Sequence, residues 1–174
     1  LREVLATDRR FRRYEMAFMT YGCGFMICDA LLPVFAVHRL HMTYDEVANW
    51  AHVSFRLAML GASVPLGWLM DRIGLGALSG LSFAWLALYP LGLTLTNDRF
   101  ALGAASALYG VGMAGVFLGW TLGPVSLAPT PDRVPQYMAI HQTLVGVRGV
   151  LFQGLGMLVY RATGSFSAAF LLAA

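Results

Sequence analysis

The sequence contains no lysine and little charge of either sign. All 12 basic residues are arginines, and charged residues make up 12% of the chain against 58% for hydrophobic ones. A soluble domain usually carries about 25% charged residues, so this chain lacks the polar surface that such a domain needs. Two windows, 75–96 and 100–125, hold no charge, and each is long enough to cross a bilayer. The sequence therefore predicts an all-α, polytopic transmembrane helical bundle.

Residues that carry catalytic or metal chemistry are also scarce. Cys23 and Cys28 lie five apart in one apolar run, where a helix points them to different faces, so no disulfide is expected. The four histidines form no cluster with a carboxylate or a thiolate, which predicts no metal site. No HExxH motif, CxxC motif or nucleophile–base pair is present. We expect neither an enzyme nor a bound cofactor, and no nucleic-acid partner.

Apolar runs predict six helices, of which the last is incomplete. A basic amphipathic segment at 1–13 precedes the transmembrane region at 14–174. The helices are predicted at about 14–37, 47–70, 75–95, 100–125, 137–160 and 165–174. Thr43 and Glu46 have the spacing of a capping box before the second helix, and Pro90 predicts a kink or break in the third. Because the chain begins at Leu1 and its last apolar run is too short to span, we expect it to be part of a longer protein.

The arginines also predict the orientation of the chain. With the N-terminus in the cytoplasm, cytoplasmic segments hold more arginines than external loops do. The cytoplasmic set is Arg2, Arg9, Arg10, Arg12, Arg13, Arg72 and Arg133, and the external set is Arg39, Arg99 and Arg161. This excess predicts a multi-pass membrane protein with a cytoplasmic N-terminus. Arg56 and Arg148 belong to neither set, because both lie inside predicted spans.

Three charged residues, Asp29, Arg56 and Arg148, lie well inside apolar runs. One such side chain at the centre of a bilayer costs about 2.5–3.5 kcal/mol, so we expect none of them to face lipid. At about 1.5 Å of rise per residue, Asp29 and Arg56 fall at similar depth in neighbouring antiparallel helices. The sequence therefore predicts that they pair. Such a pair has two interpretations, a functional site in the pathway or a plain structural tie between helices.

Polar residues share a face on two of the predicted helices. The second helix carries Asn49, His52, Arg56 and Ser63 on one stripe, and the fifth carries His141 and Arg148 one heptad apart. These faces predict that the first, second and fifth helices line a water-filled cavity and that the third faces lipid. Alternatively, each histidine only hydrogen-bonds a neighbouring carbonyl.

The fourth predicted helix is rich in glycine rather than in polar residues. Gly115, Gly119 and Gly123 recur at four-residue spacing. Small residues at this spacing let two helices approach closely, so we interpret these glycines as packing sites.

The end of the second helix carries a motif. Gly67-x-Leu69-x-Asp71-Arg72-x-Gly74 resembles the loop signature of the major facilitator superfamily, G-x-L-a-D-r-x-G-r-k, which follows the second helix of each six-helix half. The resemblance holds through Gly74, and the two basic residues expected next are absent. Such an incomplete signature is similar to that of the C-terminal half. The segment 5–24 also resembles the start of the seventh helix of that family, and the segment 137–156 resembles the eleventh helix of its bacterial members. This resemblance implies a location in the bacterial inner membrane.

The resemblance implies a secondary active transporter that moves a small solute by alternating access of two six-helix halves, with protons as the expected coupling ion. It implies that the first, second, fourth and fifth helices line the pathway and that an N-terminal half completes it. By this mapping Asp71 and Arg72, with their flanking glycines, form the cytoplasmic gate. Arg56 and Arg148 are candidates for holding an anionic solute group or a counter-carboxylate, and Asp29 for binding the proton. The alternatives are a membrane-embedded enzyme and a transporter-like scaffold or sensor without transport activity.

Overall fold

The computed structural model describes residues 2–174, and every regular element in that range is helical. Seven helices follow one another in the described part of the chain. They are α1 (Arg2–Thr7), α2 (Arg9–His38), α3 (Tyr44–Ile73), α4 (Leu75–Leu95), α5 (Arg99–Leu127), α6 (Val134–Thr163) and α7 (Phe166–Ala173). The predicted all-α class is confirmed. Five helices, α2 to α6, are long and apolar enough to cross a membrane, which is compatible with a multi-pass protein.

Three of the long helices, α2, α3 and α5, begin earlier than the predicted apolar runs, because polar residues cap them. Asp8 accepts hydrogen bonds from the backbone N–H groups of Arg10 and Phe11, so α2 starts at Arg9 rather than at residue 14. At the start of α3 the predicted capping box is confirmed. The Thr43 hydroxyl accepts from the Glu46 N–H at 3.3 Å, and the Glu46 carboxylate accepts from the Thr43 N–H at 2.9 Å.

The break predicted near Pro90 is present. A turn at Ala87 divides α4 into 75–86 and 88–95. Proline has no N–H to donate to the carbonyl four residues earlier and its ring crowds that carbonyl, which here belongs to Leu86. The helix therefore breaks directly after Leu86.

The turn between the second and third predicted helices contains fewer residues than the motif Gly67–Gly74 that was expected to form it. Asp71 and Arg72 belong to the last turn of α3, where the Arg72 guanidinium lies 3.6 Å from the centre of the Trp68 ring. Gly74 alone joins α3 to α4, with φ of +83° and ψ of 157°. These angles are essentially restricted to glycine, so this position fixes the turn.

Helix α5 forms the centre of the bundle, and its glycines let the other helices approach. A Cβ atom on Gly110 would overlap the backbone of α3, and one on Gly115 would overlap Ser82 of α4. At Gly119 and Gly123 the neighbours are Ser79 of α4 and the Tyr14 ring of α2, respectively. The interpretation of these glycines as packing sites is confirmed.

Helices α2 and α6 form a second packed unit, and they run parallel in a constant register. The pairs Phe11–Tyr137 and Glu15–His141 touch across the interface, and Gly22 lies against Arg148. In each pair the two residues are 126 positions apart in the sequence. Helix α7 packs against α2, α4 and α6 and so closes one side of the bundle.

Candidate functional site

A wide helical turn shapes the start of α3. Residues Ala48–Val53 form a π-helical turn, in which each N–H bonds to the carbonyl five residues back. Asn49 and His52 lie within this turn, and both side chains are exposed. Such turns are often found at functional sites, because they shift the faces of the residues that follow. No pattern in the sequence predicted this turn.

A cavity of about 330 Å³ lies between α2, α3 and α5. Asp29 lines it from α2, and His52 and Arg56 line it from α3. The rest of the wall is mostly apolar and aromatic, formed by Phe25, Leu32, Ala51, Phe55, Met59, Tyr89, Tyr109, Met113 and Phe117. The cavity thus brings together three polar residues from two helices, all of which were predicted as site residues. A few polar groups in an apolar wall are typical of small-molecule sites.

Ser106 of α5 also lines this cavity, and it was not among the predicted site residues. Its side chain is 2% exposed, and its hydroxyl has no hydrogen-bond partner within residues 2–174. Buried hydroxyls are normally hydrogen-bonded, so an orphan on a cavity wall marks a position where a ligand group fits. In the sequence Ser106 lies among the small residues of a glycine-rich helix, a setting that is typical of a packing residue.

The predicted pair of Asp29 and Arg56 is not formed. Within the described residues the ion pairs are Glu46–Arg99 at 3.5 Å and Glu15–His141 at 3.0 Å. Similar depth is not enough to bring the two side chains together, because α3 packs along α5 and contacts α2 mainly through the Tyr44–Val47 turn. Asp29 and Arg56 therefore face the same cavity as separate, exposed groups.

Arg148 lies outside this cavity. It is fully buried between α6 and α2, where its Nη1 donates a 2.6 Å hydrogen bond to the backbone carbonyl of Phe18. The guanidinium lies against Gly22 and 5.4 Å from the centre of the Tyr21 ring. Its Nε and Nη2 have no partner within the described residues. The structure therefore does not bring Arg148 into the cavity that Arg56 lines.

His141 bonds a carboxylate rather than a neighbouring carbonyl. Its Nδ1 lies 3.0 Å from Oε1 and 3.2 Å from Oε2 of Glu15, and both residues are almost completely buried. Glu15 was not predicted as a site residue, because it follows a run of arginines, a position typical of the polar end of a helix. The spacing of Glu15 could have indicated a buried position. Glu15, Gly22 and Asp29 follow one another at intervals of seven residues, so they are nearly aligned on one face of the helix.

The residues of the predicted gate motif lie at the surface. Asp71, Arg72 and Gly74 are exposed, and Asp71 has no ion-pair partner among residues 2–174. A Cβ atom on Gly67 would meet nothing within 4 Å. The described helices therefore do not use the motif for packing or for an ionic contact, apart from the stacking of Arg72 on Trp68.

Three other depressions are larger, but none combines charged and polar side chains inside the helical bundle. One, of about 420 Å³, is lined largely by apolar and aromatic side chains near the end of α7 and has no charged side chain in its wall. A second, of about 540 Å³, lies among the loops that contain Arg39 and Asn97. The third, of about 440 Å³, is lined by α6 alone, within residues 142–151. We therefore take the cavity with Asp29, His52, Arg56 and Ser106 as the candidate site.

Comparison with models of known protein families, with curated proteins and with solved structures found no match for this chain.

Proposed function

We propose that this chain is a six-helix half of a proton-driven secondary transporter in a membrane, of the major facilitator type, that moves a small polar solute by alternating access. The observation that carries the proposal is the candidate cavity. It contains a carboxylate, a guanidinium, an imidazole and an unpartnered hydroxyl in an otherwise apolar wall. No hydrogen bond within residues 2–174 occupies the side chains of Asp29, His52 or Arg56, which leaves them available to a solute.

The arrangement of the helices supports this proposal. The cavity is lined mainly by α2, α3 and α5, which are the first, second and fourth of the long helices. The resemblance in the sequence implies that these positions line the pathway and that the third helix is peripheral. On α4, the third long helix, the outward face carries Leu81, Trp85, Leu88, Leu91 and Leu95, a composition that suits contact with lipid.

The exposed faces of α3 and α6 support a further packing partner. The 54–73 part of α3 has no buried residue, and only a few residues of α6 are buried. A helix that is exposed on most sides and carries His52 and Arg56 is poorly suited to lipid, because charged groups in a bilayer face protein or water. In the proposed transporter an N-terminal six-helix half covers these faces, and solute crosses between the halves.

The test is flux through the intact protein that carries this chain, reconstituted in proteoliposomes. A proton gradient is imposed, and uptake of a panel of small polar solutes is measured. We expect gradient-driven uptake of one solute class by the wild type and at least a tenfold loss with Asp29→Asn. The matched control is Asp132→Asn, which alters an exposed aspartate in the loop before α6 and should leave uptake unchanged.

Ser106→Ala gives a finer test of the cavity. Loss of one hydrogen bond of about 1 kcal/mol should raise KM about fivefold and leave kcat nearly constant. Absence of flux with every solute, in protein that is folded and correctly inserted, would refute transport and favour a scaffold or sensor. Equal flux in the wild type and Asp29→Asn would refute this cavity as the pathway.

A further inference from the structure

Glu15, His141 and Arg148 are buried ionisable residues that the candidate cavity does not use. All three lie in the interface of α2 and α6, and their exposed fractions are 2%, 0% and 0%. Isolated charges in such surroundings are expensive, so a buried carboxylate and a buried histidine are expected to share a proton or a charge. The Glu15–His141 contact at 3.0 Å meets this expectation.

The hydrogen bonding of His141 indicates where a proton can be added. Nδ1 faces the Glu15 carboxylate, so with that carboxylate ionised the ring proton resides on Nδ1 and is donated to it. The other ring nitrogen, Nε2, is then a basic lone pair, and it has no partner within the described residues. A buried base that is oriented by a carboxylate and otherwise unpaired can accept one proton.

The surroundings of His141 keep water away from this nitrogen. The rings of Phe18 and Trp120 lie 5.0 Å from the imidazole centre, and that of Tyr14 lies 5.6 Å away. The Tyr14 hydroxyl is occupied, since it donates to the Gly119 carbonyl of α5 at 2.9 Å. Tyr14 and Trp120 are only partly buried, so a small separation of α5 from α2 and α6 would open the aromatic wall to solvent.

The charged groups that face the pair are few. On α2 the charged group is Glu15 itself, which belongs to the pair. On α5 the groups that face the pair are Trp120 and the backbone of Gly119, and neither is charged. On α6 the nearest charge is Arg148, two turns further along and about 10 Å away by helix rise. Within the described residues, no third charged group forms an ion pair with Glu15 or His141.

We propose that the Glu15–His141 pair is the proton-binding site of the transport cycle, distinct from the solute cavity that contains Asp29. This inference rests on the proposed transport function. One proton enters from the side of higher proton concentration and binds Nε2 of His141, which changes the charge of the pair from −1 to 0. After the aromatic wall opens to the other side, the same proton leaves from Nε2 and the pair returns to −1.

The first test separates proton coupling from solute movement. In proteoliposomes, Glu15→Gln should lose uptake driven by the proton gradient but retain exchange of labelled for unlabelled solute, which needs no net proton movement. Glu3→Gln is the matched control, because Glu3 is an exposed glutamate on α1 and should change neither activity. Gradient-driven uptake that survives Glu15→Gln refutes the proton site and leaves the transport function intact. A wild type that shows no uptake and no exchange refutes the transport function itself.

A second measurement tests the site even if Glu15→Gln does not fold. An imidazolium quenches a neighbouring indole, so Trp120 emission should fall as the pair gains its proton. The pH titration of the wild-type emission, with the Trp120→Phe signal subtracted, should show one transition that His141→Gln abolishes. A wild-type titration without a transition between pH 5 and 9 refutes the proposal.

Discussion

The contact between Gly22 and Arg148 gives the sharpest test of the α2–α6 interface. A Cβ atom on Gly22 would overlap the Nη1 and Cζ atoms of the Arg148 guanidinium. Gly22→Ala must therefore displace a buried cation from the only carbonyl that it bonds within residues 2–174, that of Phe18. The side chain is flexible, but it is fully buried, so the guanidinium cannot move out into solvent. The substitution thus adds one methyl group and removes a charge-assisted hydrogen bond.

The size of the effect follows from two opposing contributions. A hydrogen bond to a charged group contributes about 1.5–3 kcal/mol, whereas replacing a helical glycine by alanine contributes up to about 1 kcal/mol in the other direction. We expect Gly22→Ala to lower the free energy of unfolding by about 1–2 kcal/mol. Gly146→Ala is the matched control, because Gly146 is an exposed helical glycine of α6 and an added methyl group there would meet nothing within 4 Å. It should be neutral or slightly stabilising.

Unfolding of the purified protein in detergent, followed by circular dichroism, measures both variants. The same pair of substitutions in an Arg148→Leu background completes a double-mutant cycle. With the guanidinium gone, the penalty for alanine at Gly22 should largely disappear, giving a coupling energy of about 1–2 kcal/mol. Equal stability of Gly22→Ala and Gly146→Ala, or strict additivity with Arg148→Leu, would refute the packing of Arg148 against Gly22.

Two further predictions concern the ends of the long helices. Gly74→Ala should destabilise the protein by about 1–3 kcal/mol in the same unfolding assay because φ is +83° there, whereas Gly76→Ala should have little effect; equal stability would refute the strained turn. Asp8→Ala should cost about 1 kcal/mol at neutral pH through loss of the helix cap. Partial burial raises the pKa of the Asp8 carboxyl, but hydrogen bonds from the Phe11 N–H and the Tyr137 hydroxyl outweigh it and lower the pKa below its ordinary value. A lowered pKa stabilises the fold above the unfolded pKa of about 4 and loses that effect as the pH falls through the folded pKa. The difference between wild type and Asp8→Ala should therefore be constant from pH 5 to 8 and shrink below about pH 4, and a difference that grows in acid would contradict this account.

The helices could be predicted from the sequence because their signal is averaged over many residues. The charge-free windows at 75–96 and 100–125 fall almost entirely within α4 and α5. The ends could not be predicted as well, since they depend on single polar side chains. Asp8 starts α2 within the basic segment at 1–13, which was predicted to precede the first span, and its hydrogen bonds to the backbone show that the helix has begun.

For the candidate site, the sequence predicted the depth of residues along their helices but not which helices pack against each other. Helix rise gives the depth of a residue, and Asp29 and Arg56, which it puts at similar depth, line one cavity. Pairing also depends on which helices are neighbours, and α5 packs along α3 where α2 had been expected. Ser106 shows the same limit, because a serine among glycines signals close packing and only the cavity shows that its hydroxyl is left without a partner among the described residues.

The positions of the two proposed sites determine how they can communicate. Glu15 and Asp29 lie on the same face of α2, about 21 Å apart along the helix. At that separation and an effective dielectric constant of about 20, two unit charges interact by only about 0.8 kcal/mol. Coupling between binding sites typically amounts to about 1–3 kcal/mol, so a direct electrostatic effect of the proton on the solute is too weak. Because α2 is one continuous helix that contributes to both sites, a shift of α2 relative to α6 changes both at once. Protonation of Glu15–His141 therefore has to act on the cavity by moving this helix, with the aromatic wall of Tyr14, Phe18 and Trp120 as the contact that opens.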